Sequence, residues 1–127
     1  MIPVFEPILT KKDKLAVMDA LDRGEVSGTF GEFIPSFERE FAAFCGKRIG
    51  VAASSGTTAL HLAAAAAGIG PGDEVLMNSS TNIATALAVV HNGGVPVPVD
   101  SEPETWNLDL DLLESLVTPK TKAIMPV

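Results

Sequence analysis

The sequence predicts an α/β fold in which alternating strands and helices surround a mostly parallel sheet. From residue 48 onward, short apolar segments of strand length alternate with segments of helix length. Glycine, proline, asparagine and aspartate separate these segments and supply the turns. Such alternation is typical of βαβ units, whose strands are parallel. Before residue 48 we expect two helices and a loop, so the chain has two predicted parts, residues 1–47 and residues 48–127.

The first part is predicted to be helical. Thr10 can cap a helix through "KKDKLAVMDALDRG", and Gly24 stands just past its end. The loop "EVSGTFG" follows, and a second helix is expected from about Pro35 to Cys45. Four apolar residues recur there at three- and four-residue spacing and predict a stripe packed into a core: Ile34, Phe37, Phe41 and Phe44.

The second part is predicted to contain four strands and three helices. The strands are "RIGVAAS" (48–54), "DEVLMN" (73–78), "VPVPVD" (95–100) and "KAIMPV" (122–127). The helices are "TTALHLAAAAAG" (57–68), "TNIATALAVVHNG" (81–93) and "LDLDLLESLV" (108–117). Since the last residue falls inside an apolar strand, we expect this chain to be a fragment of a longer protein.

Composition narrows the class of protein. A net charge of −7 without any cluster of Lys or Arg disfavours nucleic acid and anionic membranes as partners. The single cysteine, Cys45, excludes an internal disulfide and fits a reducing compartment. No signal peptide and no apolar run of membrane-spanning length is recognisable, so the sequence predicts a cytoplasmic protein.

The turn "SSGTT", residues 54–58, joins the first predicted strand to an alanine-rich helix. The first N–H groups of a helix have no partner within it, and with the helix dipole they attract phosphate. Gly56 would let the backbone approach a phosphate closely, and Thr57 and Thr58 would add hydroxyl donors. Alternatively, Ser55 or Thr57 only caps the helix. The residues of this turn leave both interpretations open.

Three segments together carry a resemblance to a known family. They are "GEFIPSFEREFAAFCG", "ASSGTTALHLAAAAAGIGPGDEV" and "VPVPVDSEPETWNLDLDLLESLVTPKTKAIMPV". In order and spacing, from about residue 3 to residue 127, the chain resembles the sugar aminotransferases of the DegT/DnrJ/EryC1/StrS family. The resemblance implies a fold-type-I enzyme dependent on pyridoxal 5'-phosphate, of which this chain is the N-terminal part of the large domain.

The resemblance also implies an activity and a set of site residues. Family members typically move an amino group from glutamate to a keto group on a nucleotide-linked sugar, and they build their sites across a homodimer. Gly56, Thr57 and Thr58 would hold the cofactor phosphate. Asn82 stands where many members carry an aromatic ring that stacks on the pyridine, so its amide would instead hydrogen-bond to cofactor or substrate, or cap a helix. Thr85, one turn further, is a second candidate.

Other polar residues have weaker assignments. Ser27 and Thr29 lie in a loop that resembles the family's early active-site loop, and they are candidate substrate contacts. Asp100, at the end of a predicted strand, is interpreted as a loop-forming residue, and His61 as a packing or surface residue. We expect no metal site.

The catalytic lysine and the carboxylate that pairs with the pyridine nitrogen lie, in the family, beyond the segment matched here. None of the chain's lysines stands in a similar sequence, so we expect the 127-residue chain alone to be inactive. Two alternatives stay open. One is a sugar dehydratase of the same family, with histidine in place of that lysine, and the other is a non-catalytic α/β module that binds a phosphorylated ligand.

Overall fold

A computed structural model describes residues 6–127, and these form five helices and three strands. The helices are α1 (Lys11–Asp22), α2 (Phe33–Phe44), α3 (Gly56–Ala66), α4 (Ala84–Val90) and α5 (Leu110–Ser115). The strands are β1 (Glu74–Asn78), β2 (Val95–Val99) and β3 (Thr121–Met125). The chain divides into two compact units, the first ending at Ala52 and the second beginning at Ala53.

Helix α1 begins and ends where its sequence predicts. The Thr10 hydroxyl accepts from the Asp13 N–H at 3.4 Å, and the Asp13 carboxylate accepts from the Thr10 N–H at 2.7 Å. This reciprocal pair satisfies donors at the start of the helix. Gly24, with φ +70°, stands beyond the last turn. The expected helix is therefore confirmed.

The aromatic stripe of α2 does not lie in a core, so that prediction is wrong for this chain. Phe37 and Phe41 stack with ring centroids 5.4 Å apart, and Phe41 and Phe44 with centroids 6.3 Å apart. All three rings are exposed, Phe44 by 86%. The helical spacing gathered the rings on one face, but within the described part of the first unit no other element covers them.

The second unit contains a parallel sheet, as the alternating pattern predicts, and its strand order is β2-β1-β3. Val75 and Leu76 of β1 are fully buried and, as neighbours in a strand, point to opposite faces. The core accordingly forms two clusters. One joins Val75 to Ala64 of α3, Ile69 and Val89 of α4. The other joins Leu76 to Val99 of β2, Leu108 and Leu113 of α5.

Strand β2 has an alternating Val-Pro sequence that fits an edge position. Pro96 and Pro98 lie opposite Val75 and Met77 of β1. The ladder instead uses the alternate residues, as in the 2.8 Å bond from the Val95 N–H to the Asp73 carbonyl. Because proline has no N–H, it is tolerated where the missing donor faces away from the neighbouring strand.

The strand predicted over residues 48–54 is absent, and this prediction is wrong. Residues 49–53 have no regular structure. A strand needs a hydrogen-bonded neighbour, and the described residues supply none for this segment. The Ala52 N–H donates instead to the Glu38 carboxylate, at 2.8 Å.

The last two helices are shorter than predicted at both ends, and only α5 starts at a residue with a side-chain cap. Asp109 accepts from the N–H groups of Asp111 and Leu112, at 2.9 and 3.3 Å, so α5 starts at Leu110. Asn82 accepts from the Ala84 N–H at 3.0 Å, and α4 starts at Ala84. Within residues 6–127, no helix has both the length and the apolar character needed to cross a membrane.

Candidate functional site

The turn before α3 is a closed capping box. The Ser55 hydroxyl accepts from the Thr58 N–H at 3.2 Å, and the Thr58 hydroxyl accepts from the Ser55 N–H at 3.0 Å. Thr58 also donates its hydroxyl hydrogen to the Ser55 carbonyl at 2.9 Å. The Ser55 cap that the sequence allowed is therefore present, and the Thr58 hydroxyl is committed to holding the turn.

The cap leaves two donors at the helix start without a partner. Among residues 6–127, no group accepts a hydrogen bond from the N–H of Gly56 or Thr57. A methyl group added at Gly56 would meet no atom within 4 Å, so packing within this chain does not demand glycine there. Two amide donors at the positive end of an 11-residue helix, with no side chain above the first of them, fit a phosphate group.

Asn82 and Thr85 lie in different environments. Asn82 is exposed, and its amide oxygen accepts a hydrogen bond from the Ala84 N–H. Its amide NH₂ is therefore the group left to donate to a ligand. Thr85 is only 4% exposed, and its hydroxyl lies 2.8 Å from the hydroxyl of Thr81. The expectation that both face the same way assumed that both were helical, but Asn82 precedes the first residue of α4.

Ser27 and Thr29 lie in the first unit, on a loop that is closed by Glu25. Their hydroxyls are 2.9 Å apart. The Glu25 carboxylate accepts from the N–H groups of Glu32 and Phe33, at 2.7 and 3.4 Å, and binds Arg23 at 3.1 Å. The backbone N–H of Glu32, and after it the Arg23 guanidinium, lowers the pKa of Glu25. Glu25 thus holds the two ends of the loop together, and the hydroxyls of Ser27 and Thr29 lie on the segment between those ends.

Glycine at position 31 is required by this closure. Gly31 has φ +102°, a conformation that L side chains rarely adopt. A Cβ at this position would collide with the Glu25 carboxylate. The sequence analysis did not find Glu25, because its contact joins residues seven positions apart across an irregular loop that no periodic pattern describes.

His61 packs at the contact between α3 and α4. Its ring lies edge-on to the His91 ring, with centroids 5.5 Å apart, and its carbonyl accepts from the Asn92 side chain at 3.1 Å. This agrees with its interpretation as a packing residue. Asp100 accepts from the Ser101 N–H at 2.8 Å, in agreement with its interpretation as a loop-forming residue.

Comparison with solved structures defines the class of protein. The chain superposes on 3-amino-5-hydroxybenzoic acid synthase with a TM-score of 0.84 and 40% identity, over 94% of this chain and 31% of that one. It superposes on the PLP form of the sugar aminotransferase Spr1654 from Streptococcus pneumoniae with a TM-score of 0.81 and 35% identity, over 97% and 31%. These relatives are PLP-dependent aminotransferases of fold type I.

The sequence comparison identifies the family. The profile of the DegT/DnrJ/EryC1/StrS aminotransferase family matches residues 7–127, and the chain belongs to this family. It is 49% identical to GDP-perosamine synthase of Caulobacter vibrioides over 99% of this chain and 34% of that protein. The chain thus spans about a third of the length of its relatives. The fold, family and cofactor that the sequence predicts are confirmed by these comparisons.

Proposed function

We propose that the protein carrying this sequence is an aminotransferase that moves the amino group of glutamate to a keto group on a nucleotide-linked sugar. One observation carries the proposal. The start of α3 has two amide donors without a partner among the described residues, and the chain that contains it is 49% identical to GDP-perosamine synthase over 99% of this chain. The relative's name supplies the sugar chemistry, and the helix start supplies a place for the cofactor phosphate.

Within this proposal, the residues of the α3 turn have distinct roles. The N–H groups of Gly56 and Thr57 donate to the cofactor phosphate, and the Thr57 hydroxyl adds a third donor. Thr58 acts differently, because its hydroxyl is bonded to Ser55 on both sides. It holds the turn in the shape that aims the two amides outward. The bound cofactor supplies an electron sink for the carbon that loses or gains the amine.

Asn82, Thr85 and the loop residues complete the proposed site. The Asn82 amide NH₂ donates to the cofactor or the sugar, and its oriented oxygen keeps it from rotating. Thr85 fixes the start of α4 through its contact with Thr81. Ser27 and Thr29 offer hydroxyls to the sugar substrate. A homodimer in the cytoplasm, with the early loop at the subunit interface, is part of the same proposal.

We propose further that the 127-residue chain by itself does not transaminate. None of the chain's lysines stands in a segment that resembles the family's catalytic lysine. Three lie on α1, two lie outside the helices and strands, and one lies in β3: Lys11, Lys12, Lys14, Lys47, Lys120 and Lys122. Binding of the cofactor phosphate does not need that lysine. This chain should therefore bind the cofactor without catalysing transamination.

The test uses a protein that carries this chain together with the remaining length of its relatives. Incubated with pyridoxal phosphate, glutamate and a GDP-linked keto sugar, it should release 2-oxoglutarate in equal amount to an aminated sugar. The 127-residue chain is the control and should form neither product. Consumption of the sugar without 2-oxoglutarate would replace the aminotransferase with a dehydratase.

A further inference from the structure

The loop between α1 and α2 is closed by one side chain, that of Glu25. This side chain is only 9% exposed, although most of the residues around it face solvent. One carboxylate oxygen accepts from the Arg23 guanidinium at 3.1 Å. The other accepts from the N–H groups of Glu32 at 2.7 Å and Phe33 at 3.4 Å. Because hydrogen bonds to an ionised acceptor are stronger than neutral ones, a single charged group joins the two ends of the loop firmly.

Arg23, the charged partner of Glu25, is itself held at the end of α1. Its guanidinium makes two 3.2 Å contacts with the Asp19 carboxylate, one helical turn earlier. It also lies 5.5 Å from the centre of the Phe33 ring, in the first turn of α2. Glu25 therefore connects the last turn of α1 to the first turn of α2.

The segment between these ends, residues 26–31, forms a turn of its own. The Phe30 N–H donates to the Ser27 carbonyl at 3.3 Å, and the Thr29 N–H donates to the Ser27 hydroxyl at 3.4 Å. The two hydroxyls are both exposed and lie 2.9 Å apart. Since a hydroxyl donates once and accepts twice, the pair keeps one O–H donor and free lone pairs for a ligand.

Closure of this loop depends on Glu25. Within the described part of the first unit, residues 6–52, no other hydrogen bond crosses from residues 23–26 to residues 31–34. Two glycines, Gly28 and Gly31, make the backbone of an open loop free to adopt many conformations. Ordering a free loop opposes binding, so a loop that is closed beforehand binds its ligand more tightly through the same contacts.

We propose that Glu25 is a positioning residue for the sugar substrate, because it holds residues 26–31 closed and presents Ser27 and Thr29 in a fixed arrangement. The inference rests on the proposed function, which assigns these two hydroxyls to the sugar. Both oxygens of Glu25 already accept hydrogen bonds, so Glu25 acts through the loop and does not touch the sugar. Its removal weakens binding of the sugar and leaves the use of glutamate unaltered.

The test uses the protein that carries this chain together with the remaining length of its relatives. Binding of a GDP-linked keto sugar is measured by calorimetry with pyridoxal phosphate present and glutamate omitted, so that no amino group is available for turnover. We expect Glu25→Ala to weaken binding about tenfold. Glu25→Gln keeps an acceptor oxygen without the charge and should weaken binding only about threefold. Glu40→Gln, an exposed change on α2, is the matched control and should bind as the unaltered protein does.

A second comparison separates positioning from a general loss of structure. When Ser27 and Thr29 are both replaced by alanine, the further change Glu25→Ala should weaken sugar binding by less than about twofold, since the hydroxyls that it positions are gone. In all these variants kcat/KM for glutamate should stay within about twofold of that of the unaltered protein, whereas misfolding would lower it.

The outcomes distinguish this inference from the function on which it rests. Binding that depends on Glu25, without release of 2-oxoglutarate in the activity assay, would support the positioning role and overturn the aminotransferase. Release of 2-oxoglutarate with sugar binding unchanged in Glu25→Ala would overturn the positioning role alone. So would an equal effect of Glu25→Ala with and without the two hydroxyls, or an equal loss of kcat/KM for glutamate. No binding of the sugar by the unaltered protein would overturn both.

Discussion

Helices α2 and α3 begin in contrasting ways. At α2 the first residue before the helix, Glu32, makes no side-chain cap, and the Glu25 carboxylate accepts from the N–H groups of Glu32 and Phe33 instead. At α3 the cap is the neutral hydroxyl of Ser55, and the N–H groups next to it have no partner in the described residues.

The difference shows which helix start is available to an external anion. The positive end of α2 already carries a negative charge supplied from within the loop before it. The start of α3 carries none, although its first residues offer the same kind of donors. The contrast therefore supports the α3 turn, and not α2, as the place for a phosphate.

Gly31→Ala should disturb the closed start of α2 most. The new side chain must adopt φ +102° and would also collide with the Glu25 carboxylate, so we expect a loss of about 2–3 kcal/mol in the free energy of unfolding. Urea denaturation followed by circular dichroism measures it. Gly24→Ala is the control, since φ there is +70° but nothing lies within 4 Å, and it should cost only about 1 kcal/mol. Equal losses would show that the collision is unimportant.

Ser55→Asp should make the start of α3 resemble that of α2. Aspartate caps a helix as well as serine does, but its charge would compete with a bound phosphate, so the affinity for pyridoxal phosphate should fall roughly tenfold. Equilibrium dialysis with the cofactor measures this. Ser55→Asn, a neutral cap of the same shape as aspartate, should bind nearly as the parent does. If both variants bound alike, the charge at this turn would have no role.

Glu25→Gln should loosen only the start of α2. The hydrogen bonds from Glu32 and Phe33 would then end on a neutral acceptor, and their amides should exchange with solvent several-fold faster. Hydrogen exchange followed by NMR resolves these two residues. Glu40→Gln, an exposed change on the same helix, provides the control and should leave both rates unchanged.

Acidification should have the smallest and most gradual effect on the start of α2. Because folding lowers the pKa of Glu25 from its usual value of 4.5, its contribution to stability is complete above that value. The contribution is lost as the pH falls through the lower pKa of the folded state. Protection of the Glu32 amide from exchange, relative to an unfolded chain at the same pH, should therefore fall only below about pH 4.5, and Glu25→Gln should remove this pH dependence. A fall in protection beginning near pH 6 would point to a different group.

Local patterns predicted much of this molecule. The Thr10 cap joins residues three positions apart and was predicted from that spacing, and the three strands were predicted from the alternation of short apolar and helical segments. The Ser55 cap was one of two interpretations that the sequence left open. The family resemblance then added the cofactor, which no local pattern could supply.

Features that depend on distant partners were not predictable in this way. The segment 48–54 has the composition of a strand, but composition does not reveal whether a neighbouring strand is available. The closure by Glu25 and the hydrogen bond from the Asn78 side chain to the Trp106 carbonyl each join residues that no periodicity relates. Burial of Thr85 was missed because Asn82 and Thr85 were expected on one helix face, whereas α4 starts at Ala84, after Asn82.

The prolines of β2 make the two edges of the sheet differ in their capacity to hydrogen-bond a further strand. At positions 96 and 98 the outer edge of β2 offers carbonyl oxygens but no hydrogen to donate, so an approaching strand would meet only half of a ladder. The opposite margin, at β3, has no proline between Thr121 and Met125. The margin at β3 therefore offers both donors and acceptors to a neighbouring strand, whereas the Val-Pro margin at β2 lacks donors at two positions.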